Sequence, residues 1–194
     1  MDQSGDISGP PSDSGAVETE PPSVLELDIV RDAGDWAPFE PVEATIEQAA
    51  RAAARHPGVL AALPVDRVSI CIALSTDEAV RELNRQWRSK DSPTNVLTFP
   101  APPIVPPGLP ASADGAASGP PFLGDIVLAA QTVSREARDM RSSPRHHLQH
   151  LVVHGLLHLL GFDHEQDAEA TAMEALETEI LATIGVADPY AADD

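Results

Sequence analysis

The chain has 194 residues, of which 42% are hydrophobic, and its 31 acidic and 12 basic residues give a formal net charge of −19. That composition can bury one sizeable core, which excludes a fibrous or fully disordered chain, and the single cysteine, Cys71, excludes a disulfide framework or a Cys-rich zinc finger. No stretch approaches the ~20 apolar residues of a membrane span and no secretory signal opens the chain, so we expect a cytoplasmic protein without a membrane partner.

The composition changes along the chain and predicts one folded domain with polar tails. Residues 1–22 are rich in Ser, Gly, Pro and acidic residues, so we expect a disordered acidic N-terminal tail. Residues 23–186 form the predicted domain, and residues 187–194 an acidic C-terminal tail. Within the domain, residues 101–121 are rich in Pro, Gly, Ala and Ser without periodicity, which predicts a mobile insertion.

The first half of the domain alternates strand and helix patterns. Alternating apolar residues predict strands that begin near residues 24 and 68, and a short strand is expected over 95–99. An alanine-rich helix is expected from Pro41 to Arg55, ended by the proline at position 57. Ser75 and Glu78 have the spacing of a capping box, which predicts that Ser75 caps a helix reaching about residue 87.

The second half predicts one strand followed by three helices. An apolar strand is expected over 124–128 and a helix over 131–141. Ser143 and Pro144 predict the start of a long helix that Gly161 ends, and a last helix spans about 167–183. We therefore expect an α+β fold, a single domain with one mixed sheet of about four strands packed by about five helices.

Two groups of arginines recur at helical spacing. The protein's overall charge repels polyanions at long range, yet a local basic patch can hold a short nucleic-acid segment. The alternative is that both groups are solvated helix faces. The first group is Arg81, Arg85 and Arg88, with Lys90 beyond it, and the second is Arg135, Arg138, Arg141 and Arg145.

Three histidines have a spacing that predicts a metal site at the end of the long helix. His154 and His158 lie one helical turn apart, so their imidazoles can converge on one ion. A turn at Gly161 can bring His164 back as third ligand, which leaves a tetrahedral fourth position for water. An open fourth position is typical of a catalytic site, and zinc lowers the pKa of a water bound there to roughly 7. We therefore expect one catalytic Zn²⁺ per chain. The alternative is that these histidines are ordinary core or surface residues.

The other histidines carry weaker expectations. His150 lies one turn before His154 on the same face and can add a supporting contact or touch substrate. His146 and His147 are expected to be exposed to solvent.

The same spacing occurs in the metzincin protease signature H-E-x-x-H-x-x-G-x-x-H, so a zinc peptidase is one candidate. Those proteases use the glutamate as general base, and this chain has Gly155 at that position. Phosphodiester hydrolysis tolerates that loss better than amide hydrolysis, because it depends more on charge neutralisation and positioning.

Three segments together resemble the YbeY endoribonucleases, also called rRNA maturation factors. Residues 154–164 resemble the family's H-G-x-L-H-L-x-G-[YF]-D-H signature. Residues 83–100 resemble its L-N-x-x-[YW]-R-x-K-D-x-P-T-[DN]-V-L-S-F-P block, with Thr98 at the usual serine, and residues 123–126 resemble its G-D-I strand. In order and spacing the resemblance covers roughly residues 70–190.

The resemblance implies a zinc-dependent, single-strand-specific endoribonuclease that acts in 16S rRNA 3′-end maturation and ribosome quality control. His154, His158 and His164 would bind zinc, and Arg88 would meet the RNA phosphate. The expected partners are single-stranded rRNA precursor and the small ribosomal subunit, and no DNA is expected. Asp163 is expected to cap a turn or support a ligand, while Asp125 and Asn95 hold backbone or cleft geometry. A noncatalytic, metal-stabilised ribosome-assembly factor is the alternative from a different class.

Overall fold

The computed structural model describes residues 24–102, 119–164 and 166–191. All of the N-terminal tail and most of the Pro-rich insertion expected from the sequence lie outside these ranges, as do the last three residues. Among the described residues the order is β1 (Leu25–Arg31), a 3₁₀ turn (Ala37–Phe39), α1 (Val42–Arg55), α2 (Pro57–Ala62), β2 (Val68–Ser75), α3 (Asp77–Arg88), β3 (Val96–Pro100), β4 (Phe122–Ala129), α4 (Ala130–Asp139), α5 (Pro144–Leu159) and α6 (Asp167–Ala182).

The four strands form one mixed sheet in the order β1-β2-β4-β3. β1, β2 and β4 are parallel, and β3 runs antiparallel to β4 at the edge. Alternation sends Ile70, Ile72 and Ile126 to the face covered by α1 and α5, while Leu97 and Val127 face Val80 of α3 on the other side. The α+β class and the four-stranded mixed sheet expected from the sequence are confirmed.

Helix α5 is the structural centre of the domain. It packs against α1, α4, α6 and two strands, and ten of its sixteen residues are buried. A helix that is apolar around most of its circumference is stable only when it is surrounded by other elements. The helix that carries His154 and His158 is therefore held rigidly, and few of its positions face solvent.

The sequence analysis missed α2. It treated Pro57 only as the end of α1, but proline is also well suited to the first turn of a helix, where no N–H donor is required. The His56 side chain caps this short helix, since its Nδ1 accepts the Gly58 N–H at 3.2 Å. The described part of the chain thus contains six α-helices where about five were expected.

The predicted cap of α3 was wrong by one residue. Thr76 is the N-cap, and its hydroxyl accepts the Ala79 N–H at 3.3 Å. Ser75 is the last residue of β2, and its hydroxyl bonds Asp32 at 3.3 Å. Either of two adjacent hydroxyl residues can cap a helix. Because Ser75 belongs to β2, Thr76 caps α3.

Candidate metal centre

His154 and His158 project from the same side of α5 near its C-terminus. Their Nε2 atoms are 3.1 Å apart and their ring centroids 4.5 Å apart. Both rings are half-buried and line a cavity of about 560 Å³ between the end of α5 and the β3 edge of the sheet. The convergence expected from the i, i+4 spacing is present.

The turn after α5 brings His164 to the same point. Gly161 has a φ of +88°, in the left-handed region that glycine adopts without strain. Its N–H bonds the His158 carbonyl at 3.0 Å and the Phe162 N–H bonds the Leu157 carbonyl at 3.1 Å, the two bonds of a Schellman cap. The His164 ring then lies 5.0 Å from that of His158, and ligand atoms of all three histidines lie within 4.8 Å of one another.

The hydrogen bonds of the two helical histidines assign their tautomers. His158 Nδ1 lies 3.0 Å from the Phe162 carbonyl oxygen, and His154 Nδ1 lies 2.9 Å from Oε1 of Glu177. A carbonyl or an ionised carboxylate only accepts hydrogen bonds, so each Nδ1 carries the proton. The Nε2 atoms of the two rings face each other. Burial, followed by the proximity of His154 and His164, lowers the pKa of His158 and favours its neutral form.

This donor set fits a divalent metal ion. The Nε2 atoms of His154 and His158 lie 3.1 Å apart, and with a ligand atom of His164 they can converge on one cation. The outer nitrogens already donate to acceptors, which is the arrangement that orients histidine ligands in metal sites. Imidazole ligands suit zinc but also copper, iron and nickel, so the geometry is that of a candidate metal site and does not identify the ion.

Glu177 of α6 holds His154 in place through a hydrogen bond. Its side chain is fully buried, and its carboxylate accepts hydrogen bonds from His154, from His150 Nε2 at 2.8 Å and from the Tyr190 hydroxyl at 2.5 Å. Burial alone raises the pKa of Glu177, but these three bonds outweigh it and lower the pKa to about 2. A second group of ligand atoms within 4.8 Å of one another belongs to His150, His154 and Glu177. In this group the Glu177 carboxylate already accepts a hydrogen bond from each ring.

The sequence analysis did not identify Glu177, although a signal was available. The residue lies four positions after Met173 and three before Ile180, so it falls on the apolar, inward face of α6. A carboxylate at such a position needs buried partners, because an unpaired buried charge is strongly destabilising. Tyr190, one of those partners, lies in the segment that the sequence analysis assigned to the C-terminal tail.

The expectation that His147 is exposed was wrong. The residue is 5% exposed, and its Nε2 lies 3.0 Å from Oε2 of Glu136 on α4. The same carboxylate oxygen accepts from Asn95 Nδ2 at 2.9 Å, so the network holds Asn95 where it lines the cavity. His146 is exposed, as expected. The helix α5 turns one of two adjacent histidines inward and the other outward.

Ion pairs distinguish the members of the first arginine group. Arg81 bonds Asp91 at 2.7 Å and Arg85 bonds Glu82 at 2.6 Å, so both charges are neutralised locally. Arg88 and Lys90 make no ion pair with the described carboxylates, and both line the cavity. The full lining is Arg88, Lys90, Thr94, Asn95, Val96, Thr98, His154, His158, Asp163 and His164. With two cations and one acidic residue, Asp163, in its lining, the cavity presents a net positive charge beside the three imidazoles.

The remaining candidates lie elsewhere or serve the turn. None of the second arginine group lines this cavity: Arg135 bonds Thr132, and Arg145 bonds Thr45. Asp163 lines it, and its Oδ1 accepts the His164 N–H at 2.7 Å, which is the bond expected of a turn cap. Asp125 lies on β4 opposite Cys71 of β2 and does not line the cavity. A cleft of about 670 Å³ between α1 and the end of α6 contains none of the candidate metal ligands.

Comparison with known proteins relates the whole domain to one family. The model of the family described as endoribonuclease YbeY matches residues 37–185. An endoribonuclease YbeY of Parvibaculum lavamentivorans is 45% identical over 88% of this chain and 88% of its own, and one of Rhodopseudomonas palustris is 42% identical over 97% and 93%. The solution structure of a Thermotoga maritima protein is 21% identical, with a TM-score of 0.49, over 86% of this chain and all of its own. None of the described helices is long and apolar enough to cross a membrane. The family match and the two relatives show that this chain belongs to the YbeY family of endoribonucleases.

Proposed function

We propose that this protein is a zinc-dependent endoribonuclease that hydrolyses phosphodiester bonds in single-stranded RNA. One observation carries the proposal: three imidazoles converge in a cavity that is also lined by two cations, Arg88 and Lys90, which pair with no described carboxylate. The names of the relatives support RNA as the substrate class. His154, His158 and His164 would hold the ion, which would supply Lewis acidity and a reactive water at neutral pH.

The residues around the ligands would bind and orient the substrate. A planar guanidinium can hold two phosphate oxygens at once, so Arg88 would position the scissile phosphate and offset the charge that develops during attack. Lys90 would hold a neighbouring phosphate as a point charge. Glu177 and the Phe162 carbonyl would hold the ligands His154 and His158 in the tautomer that directs Nε2 inward.

The environment of Gly155 argues against a peptidase. Gly155 is buried, and a Cβ at this position would come within 3.0 Å of Ile126 Cγ2 on β4. A glutamate there would press on Ile126, so the packing favours glycine. The chain therefore lacks the residue that the metzincin mechanism uses as general base.

The proposed cellular role is trimming of the 3′ end of 16S rRNA and quality control of ribosomes, at the small subunit and in the cytoplasm. Membership of the YbeY family supports this role. The lone Cys71 agrees with a reducing compartment.

Metal analysis combined with an RNA cleavage assay tests the proposal. Mass spectrometry of the purified chain should find one zinc ion per chain, and cleavage of a single-stranded oligoribonucleotide should stop with chelator and return with zinc. RNA binding without metal-dependent cleavage in highly purified protein would instead favour a noncatalytic assembly factor. Turnover of casein or of a peptide panel would favour a peptidase.

A further inference from the structure

Trp87 is an exposed aromatic residue that the packing of the domain does not explain. Its side chain is 70% exposed, more than any other large apolar side chain in the described ranges, whereas Trp36 is 2% exposed. An indole in water forgoes the roughly 1.5–3 kcal/mol that burial of a large apolar side chain contributes. Aromatic residues make up only 4% of the chain, so this exposed tryptophan stands out.

The indole is held in a defined position. It lies against the Phe99 ring of β3, with ring centroids 6.2 Å apart in an edge-to-face arrangement. The helix α3 ends at the next residue, Arg88, and its C-cap Ser89 has a φ of +56°. The Lys90 N–H then donates to the Asn84 carbonyl and closes the turn. Asn84 is itself buried and donates to the Ser92 carbonyl at 2.8 Å. A ring held in this way loses little conformational freedom when a ligand stacks on it.

The indole and the metal cavity lie on opposite sides of the edge strand β3. Thr98 lines the cavity, and its neighbour Phe99, whose side chain points to the other face of the sheet, carries the indole. No further strand pairs with β3 beyond β4 in the described part of the chain, so a ligand can pass over this edge. Arg88 and Lys90 follow Trp87 in sequence and line the cavity, which places two unpaired cations between the histidines and the indole.

We propose that Trp87 is a stacking platform for an unpaired nucleobase of the RNA substrate. The phosphate backbone crosses the β3 edge on Arg88 and Lys90, and a base beyond the reacting nucleotide stacks on the open face of the indole. Aromatic stacking of this kind accepts any base, because every base has a π face. A base within a duplex is already stacked and paired, so the platform favours single strands. This inference rests on the proposed function, since it assumes that RNA occupies the cavity.

Stopped-flow fluorescence of the full-length protein tests the platform before substrate turnover. Mixing with a single-stranded oligoadenylate should quench the emission of Trp87, and the Trp87→Phe variant, which retains only the buried Trp36, should show no such quenching. Binding measured by anisotropy of a labelled oligoadenylate should weaken about 10-fold in Trp87→Ala and much less in Trp87→Phe. Leu60→Ala, which removes another exposed apolar side chain far from the cavity, should bind as the wild type does.

Inorganic polyphosphate separates stacking from charge, because it carries the negative charges and no bases. The platform requires that Trp87→Ala leave polyphosphate binding unchanged while it weakens oligoadenylate binding. Equal oligoadenylate affinity in Trp87→Ala and wild type, with RNA cleavage intact, would overturn the platform alone. A wild-type protein that neither binds nor cleaves the oligoadenylate would overturn the proposed function and the platform with it.

Discussion

His154 Nδ1 lies 2.9 Å from Oε1 of Glu177, so a metal-ligand candidate on α5 is oriented by a buried carboxylate on α6. The contact joins residues 23 positions apart in sequence. It fixes the proton on Nδ1 and leaves the Nε2 lone pair for an ion. The two helices must therefore pack correctly before the site can form, which couples the metal site to the tertiary fold.

The Glu177→Gln substitution should weaken metal binding by roughly 10–100-fold, the usual effect of removing a hydrogen-bond partner of a histidine ligand. A neutral amide favours the Nδ1–H tautomer of His154 less than a carboxylate does. Its N–H also faces His150 and Tyr190, which themselves donate hydrogen bonds. Competition with a chromophoric zinc chelator measures the affinity. Glu174→Gln, a change on the exposed side of the same helix, is the control and should bind metal normally. Equal affinity of the Glu177 variant and the wild type would refute the orienting role.

The substitutions His154→Ala and His158→Ala should abolish zinc binding and RNA cleavage while the fold is retained. Each removes one of three converging imidazoles, and two are too few to hold the ion with an open position. Zinc should raise the melting temperature of the wild type, because a ligand that binds only the folded state stabilises it, and should have no such effect on the variants. Full RNase activity in a variant that contains no metal would be incompatible with the proposed chemistry.

The substitution Arg88→Glu should reduce RNA cleavage by at least about 10-fold while zinc content stays normal. The change replaces an unpaired cation on the cavity rim with an anion that repels the phosphate. Cleavage kinetics of a single-stranded oligoribonucleotide, with metal content measured in parallel, provide the readout. Arg85→Gln is the matched control, because the Arg85 charge is already paired with Glu82 and its loss should change cleavage little. Unchanged turnover by the Arg88 variant would count against its phosphate role.

Substitutions of Gly155 should lower stability without creating a peptidase. Gly155→Ala gains helix propensity but presses its Cβ on Ile126, so we expect a loss of about 1 kcal/mol in the free energy of unfolding. Gly155→Glu buries a carboxylate against the sheet and should cost several kcal/mol more or prevent folding. Urea denaturation measures both effects. Proteolytic activity in Gly155→Glu would contradict the expectation that this change does not create a peptidase.

The elements that sequence analysis found are those with a strong local pattern. Alternating apolar residues identified the first two strands of the sheet, short apolar segments identified the other two, and the limits of α5 followed from Pro144 at its start and Gly161 at its end. Local signals failed where they were ambiguous. Pro57 both ends α1 and begins α2, and Ser75 and Thr76 compete for one cap. Only the packing of the sheet and helices decided between these alternatives.

The sequence by itself determined which three histidines converge, because the i, i+4 spacing of His154 and His158 and the turn at Gly161 act within a single stretch of backbone. Tertiary structure decided which charges serve the site. Helical spacing alone does not distinguish Arg81, Arg85 and Arg88, but in the folded protein Asp91 and Glu82 pair with the first two, while the third lines the cavity. The same holds for Glu177, since a carboxylate on an apolar helix face acquires its role only from the groups that another helix brings against it. Spacing is a property of the chain, whereas the pairing of charges and hydrogen bonds depends on distances that exist only after folding.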